Sequence, residues 1–81
     1  MANRENAEDA LTEKLVEIWR IELLLGQSGP DVDFLEVDGS SLTAVRIMSQ
    51  VREILGRDVE TTTIFDHSTP RALARALLAG Q

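Results

Sequence analysis

The sequence contains no cysteine. That excludes a disulfide scaffold, a thiolate metal site and a cysteine nucleophile. Histidine occurs once, so no metal-spaced set of His and Cys can be assembled. No glycine-rich phosphate loop and no pair of catalytic carboxylates can be made out either. Basic residues are scarce, 8 against 14 acidic ones, and the net charge of -6 argues against nucleic acid as a partner. No apolar run approaches the roughly 18 residues that a membrane-spanning helix needs. The opening MANRENAEDA is polar and acidic, unlike a secretory signal. These absences predict a cytoplasmic chain with no membrane contact. At 81 residues it is one small domain. Such a domain has no room for both a substrate-enclosing pocket and a multi-residue catalytic site.

The charge is uneven. Residues 1–40 hold ten acids and three bases, whereas residues 41–81 hold four acids and five bases. An acidic first half suits solubility, and equally suits steering toward basic partner surfaces.

Residues 1–6 read as a flexible N-terminal tail, followed by a single domain over 7–81. Asn6 with Asp9 resembles a helix-capping pair. From Ala7 to about Leu25, Leu11, Leu15, Ile18 and Leu25 follow helical spacing, Trp19 and Leu23 widen the stripe, and Gly26 is the expected stop. Gln27 to Asp33 is a loop by composition. Phe34, Leu35 and Val37 then return apolar groups to the core. A second helix is expected from Ser41 to Gly56, with Ser40 as its N-cap. Its core stripe is Ala44, Ile47, Met48, Val51 and Leu55. Leu42 and Val45 fall on a different face. They either widen the core or form a small exposed patch for a partner to cover. A short helix is expected at about Thr62 to Asp66. Thr69-Pro70 starts the last one and Gly80 ends it. The predicted fold is all-α: a small four-helix bundle of three main helices and one short one, with a long first loop.

The stretch with chemical content is Asp38-Gly39-Ser40-Ser41-Leu42. A hydroxyl in the first turn of a helix sees the partial positive charge of unpaired backbone N–H groups, which favours an attached phosphate group. The plainer reading is that both serines cap the helix. A serine hydrolase lacks parts, because the sole histidine, His67, lies in a loop over twenty residues away in sequence. Asp38 reads as a turn former, or as a group that helps hold a metal ion while another enzyme modifies the chain.

Phe34 to Leu42 as a whole resembles the serine motif of the carrier proteins of thiotemplate biosynthesis. Ser41-Leu42 matches the Ser-Leu of both the peptidyl and the acyl carriers. Ser40 takes the variable position, Asp38 replaces the first glycine and Leu35 the second aromatic. Ala44-Val45-Arg46 and the run from Ile64 to Ala74 are similar to later regions of carriers from modular synthases. Ile18-Trp19 and Leu24-Leu25-Gly26 are similar to the end of a carrier's first helix. The resemblance spans about residues 11 to 79.

The resemblance implies a four-helix carrier whose Ser41 receives 4'-phosphopantetheine from coenzyme A through a phosphopantetheinyl transferase. It also implies no catalytic residue and no resident metal. The thiol of the arm would hold aminoacyl, peptidyl or acyl groups for partner enzymes. Those partners would be an adenylation or other acyl-activating enzyme and a condensation, ketosynthase or tailoring enzyme. Asp38, Gly39, Leu42 and Val45 match the partner-facing positions, which favours the patch reading of Leu42 and Val45. The carrier is expected to be monomeric, and a discrete protein is one form it could take. A small helical interaction domain without a covalent cofactor is the alternative.

Overall fold

The computed structural model describes residues 4–80. Five helices lie within them: α1 Arg4–Glu22, α2 Phe34–Val37, α3 Ser41–Leu55, α4 Thr63–Asp66 and α5 Pro70–Leu78. No strand occurs among the described residues, so the all-α expectation holds. The count is one higher than expected because Phe34–Val37, read as an apolar lead-in, closes a helical turn.

The first helix starts earlier than predicted. Arg4, Glu5 and Asn6 are already helical, so Asn6 lies inside α1 and is not its cap. Of the expected tail, residues 4–6 are helical, and residues 1–3 lie outside the described residues. Alanines and early acidic side chains explain the extension, since both favour a helix start. One stripe of α1, Leu11, Leu15, Ile18 and Trp19, is buried, and Leu23 joins it just past the helix end.

The end of α1 also differs from expectation. Helix geometry stops at Glu22, not at Gly26. The Leu25 N–H donates to Arg20 O at 2.8 Å and the Leu24 N–H to Ile21 O at 3.3 Å. This is a Schellman closure, and it places Leu24 in the left-handed region at φ 56. Glycine usually fills that position. Leu24 also projects its side chain into solvent, 91% exposed, so no packing offsets the strain. Leu24→Gly is expected to stabilise the domain by about 1 kcal/mol. A rise in melting temperature would register it.

The long loop after α1 is stitched to the start of α5. The Arg71 N–H donates to Pro30 O at 2.9 Å and the Phe34 N–H to Ser68 O at 2.8 Å. Arg71 also pairs with Asp31 at 3.0 Å. Asp33 caps α2, its Oδ1 accepting the Leu35 N–H at 2.8 Å. Of the three apolar residues expected to return here to the core, only Phe34 does so; Leu35 and Val37 are nearly half exposed. The Phe34 ring meets Phe65 of α4 edge-on, with centroids 5.8 Å apart.

One core gathers the buried faces of all five helices. Leu15, Trp19, Phe34, Ala44, Ile47, Met48, Val51, Ile64, Leu73 and Ala74 are fully enclosed. Polar ties close the periphery. Arg52 donates to Val59 O at 2.9 Å, which fixes the loop after α3. Arg57 donates to Leu77 O at 2.7 Å, joining that loop to α5. Glu8 pairs with Arg75 at 3.1 Å between α1 and α5. Glu22 meets Arg46 at 3.5 Å and Gln50 at 2.7 Å between α1 and α3. Exposed pairs of this kind add at most about 1 kcal/mol each, so burial carries the fold.

Candidate functional site

The sequence around Ser41 folds as two helix signals in succession. The Asp38 and Gly39 N–H groups both donate to Phe34 O, at 2.9 and 3.0 Å, closing α2. Gly39 then turns the chain at φ 70. A Cβ there would sit 3.2 Å from Leu35 O. Left-handed backbone and tight contact coincide, so Gly39→Ala should cost about 1–2 kcal/mol. A lowered urea midpoint would show it.

Ser40 is the N-cap of α3, as expected. It has extended backbone, and its Oγ accepts the Thr43 N–H at 3.1 Å. Asp38 does more than form a turn. Its Oδ1 accepts the Ser40 N–H at 2.8 Å and its Oδ2 accepts the Thr43 hydroxyl at 3.1 Å. The Ser40 hydroxyl and the Ser40 N–H hold the carboxyl below the usual aspartate range against the opposing effect of burial, and the Thr43 hydroxyl adds the smallest contribution. Asp38 is therefore ionised at neutral pH, beside the positive end of α3.

Ser41 is the first residue of α3 and is exposed. Its hydroxyl makes no hydrogen bond to any described residue. Of the two adjacent serines, one hydroxyl is engaged and the other is open to solvent. A phosphate group on Ser41 Oγ would meet backbone N–H groups and the helix dipole, which carries roughly half an elementary charge at this end. The residues present fit such a group.

Leu42 and Val45 are exposed by 66% and 48%. They do not widen the core. The core stripe of α3 is Ala44, Ile47, Met48 and Val51, with Leu55 partly buried beside it. Sequence reasoning missed Thr43. Its signal was the capping position three residues after Ser40. Of the α3 arginines, Arg46 is exposed beside Glu22, while Arg52 is spent on the Val59 carbonyl. His67 ends α4, its N–H donating to Thr63 O at 3.0 Å. Among the described residues no group of three or more His, Asp or Glu could hold a metal ion, and no helix is long and apolar enough to cross a membrane.

The model of a known family, the phosphopantetheine attachment site, matches residues 13–77. The chain belongs to the phosphopantetheine attachment site family. That family is defined by a covalently attached phosphopantetheine, and its members are carriers. Residues of this carrier are similar to pikromycin polyketide synthase component PikAIII of Streptomyces venezuelae, 42% identical over 59 residues that make up 67% of the chain and 4% of the synthase. They are also similar to tyrocidine synthase 3 of Brevibacillus parabrevis, 38% identical over 64 residues, or 79% of the chain and 1% of that protein. The carrier spans from 1% to 4% of the length of the first curated relatives it matches. In fold it is similar to BlmI, a type-II acyl-carrier-protein from Streptomyces verticillus involved in bleomycin biosynthesis. The two superpose with a TM-score of 0.86 over 93% of this chain and 90% of BlmI, at 23% identity.

Proposed function

We propose that Ser41 is the attachment point of 4'-phosphopantetheine and that residues 7–81 act as one carrier domain in nonribosomal peptide or polyketide assembly. The observation that carries this reading is the free, exposed Ser41 hydroxyl at the start of α3, in a chain of the phosphopantetheine attachment family. A phosphopantetheinyl transferase makes the attachment. Ser41 Oγ attacks the β-phosphorus of coenzyme A and forms one O–P bond. The pyrophosphate O–P bond on the far side breaks, adenosine 3',5'-bisphosphate leaves, and the serine proton passes to a base on the transferase. The bound arm supplies a thiol that carries aminoacyl, peptidyl or acyl cargo as a thioester.

The chain itself holds and presents. Gly39 sets the entry to α3, Ser40 caps it, and Asp38 braces the cap. Leu42 and Val45 offer apolar contact beside the attachment point. The partners they would meet are an adenylation or acyl-activating enzyme and a condensation, ketosynthase or tailoring enzyme. The carrier works as a monomer in the cytoplasm.

Intact mass spectrometry tests the attachment. Incubation with coenzyme A and a broad-specificity phosphopantetheinyl transferase should add one phosphopantetheine to the wild-type chain and none to Ser41→Ala. No gain in the wild type, or a gain that survives in Ser41→Ala, would defeat the reading.

A further inference from the structure

Ser40 and Ser41 stand side by side at one helix start, yet their hydroxyls differ. The difference traces to Asp38. An ionised carboxylate can only accept hydrogen bonds. Its Oδ2, 3.1 Å from Thr43 Oγ1, therefore takes the Thr43 proton. Thr43 Oγ1 is then left to accept, and it accepts from the Ser40 hydroxyl at 3.0 Å. Ser40 Oγ also accepts the Thr43 backbone N–H at 3.1 Å. Asp38 Oδ1 closes the ring on the Ser40 N–H at 2.8 Å. The one fixed role in this ring is that of the Asp38 carboxylate, which can only accept.

We propose that Asp38 and Thr43 are positioning residues for the modification of Ser41: their hydrogen-bond ring rigidifies the turn and engages the Ser40 hydroxyl, so that Ser41 Oγ alone is presented for phosphopantetheine transfer. The proposal rests on Ser41 being the acceptor. Neither side chain touches the phosphorus. Each acts through the backbone that carries Ser41. A displaced acceptor is costly in a reaction that depends on alignment.

The test is the initial rate of arm transfer to the full chain, read by intact mass with coenzyme A and a broad-specificity transferase. Thr43→Val keeps the side-chain volume and the backbone N–H but removes the hydroxyl. It should lower kcat for transfer about tenfold while leaving KM for coenzyme A unchanged. Thr43→Ser restores the hydroxyl and should recover most of the rate. Asp38→Asn places a donor where a carboxylate oxygen accepted, so the ring loses one of its acceptors. It should slow transfer as well, and it serves as the test should Thr43→Val fail to fold.

Gly56→Ala is the control. It strains the left-handed residue at φ 69 that ends α3, weakening the same helix away from the ring. It should transfer at the wild-type rate. Wild-type kinetics in both Thr43→Val and Asp38→Asn would overturn the proposal. So would a loss in Gly56→Ala equal to theirs, since helix stability would then be the cause. An unlabelled wild type, or a labelled Ser41→Ala, is a different failure: the Ser41 assignment falls first and the positioning role falls with it.

Discussion

Trp19→Ala will leave the domain largely unfolded at room temperature. Trp19 is the largest of the fully enclosed side chains and sits in the core cluster with residues of all five helices. Truncating an aromatic at such a site costs about 3–5 kcal/mol through lost burial and the cavity left behind. A domain this small holds a total stability of about the same size. The indole adds a second element. Its Nε1–H is buried without a hydrogen-bond partner, and such a donor opposes folding by about 1–3 kcal/mol. Trp19→Phe removes that donor while filling most of the volume, so it should lose far less than Trp19→Ala. Urea titration followed by far-ultraviolet circular dichroism measures both variants. An alanine variant as stable as the wild type would mean that the core is organised around some other residue.

Charge on the exposed face of α3 should damage function without damaging the fold. Leu42→Glu and Val45→Glu place carboxylates on side chains that are 66% and 48% exposed. Surface changes of this kind usually shift stability by no more than about 0.5 kcal/mol. If partner enzymes cover these residues, a buried charge at the contact would cost about 2 kcal/mol or more, a fall of at least tenfold in kcat/KM. Loading or condensation kinetics of the phosphopantetheinylated variants with an acyl-activating enzyme would report it. Melting curves run beside them separate the two effects. Unfolding of either variant would return Leu42 and Val45 to a structural role. Full activity would place the partner contact elsewhere.

Much of this fold was legible because its signals are local. Ser40 and Thr69 each precede a helix and are followed three residues later by the N–H they cap. Pro70 and Gly56 mark a start and a stop in their usual positions. The stripe Ala44, Ile47, Met48, Val51 was readable from spacing alone. The misses have physical causes. Leu24 takes a glycine's conformation at the end of α1, which pattern reading assigns to the nearby Gly26. The turn Phe34–Val37 is too short to show periodicity, so Leu35 and Val37 looked like core. In fact only Phe34 is enclosed.

The site was legible in part. Asp38-Gly39-Ser40-Ser41-Leu42 stood out as a helix start, and in the structure Asp38 closes α2, Gly39 and Ser40 make the turn, and Ser41 and Leu42 open α3. What no linear reading could supply was the hydrogen-bond ring that joins Asp38, Ser40 and Thr43. Whether Asp38 braces the turn or only shapes it depends on Thr43 Oγ1 lying 3.1 Å from its Oδ2, across a helical turn. That distance also explains why an aspartate can occupy the position of a motif glycine: its side chain caps the cap.

The central claim is that the arm joins Ser41 and not its neighbour. Fragmentation mass spectrometry of a peptide spanning residues 34–46, cut from the labelled chain, locates the added group to a single residue. Fragments that include Ser41 should carry the phosphopantetheine mass, and those that stop at Ser40 should lack it. The added mass on Ser40, or on any residue outside this turn, would contradict the assignment.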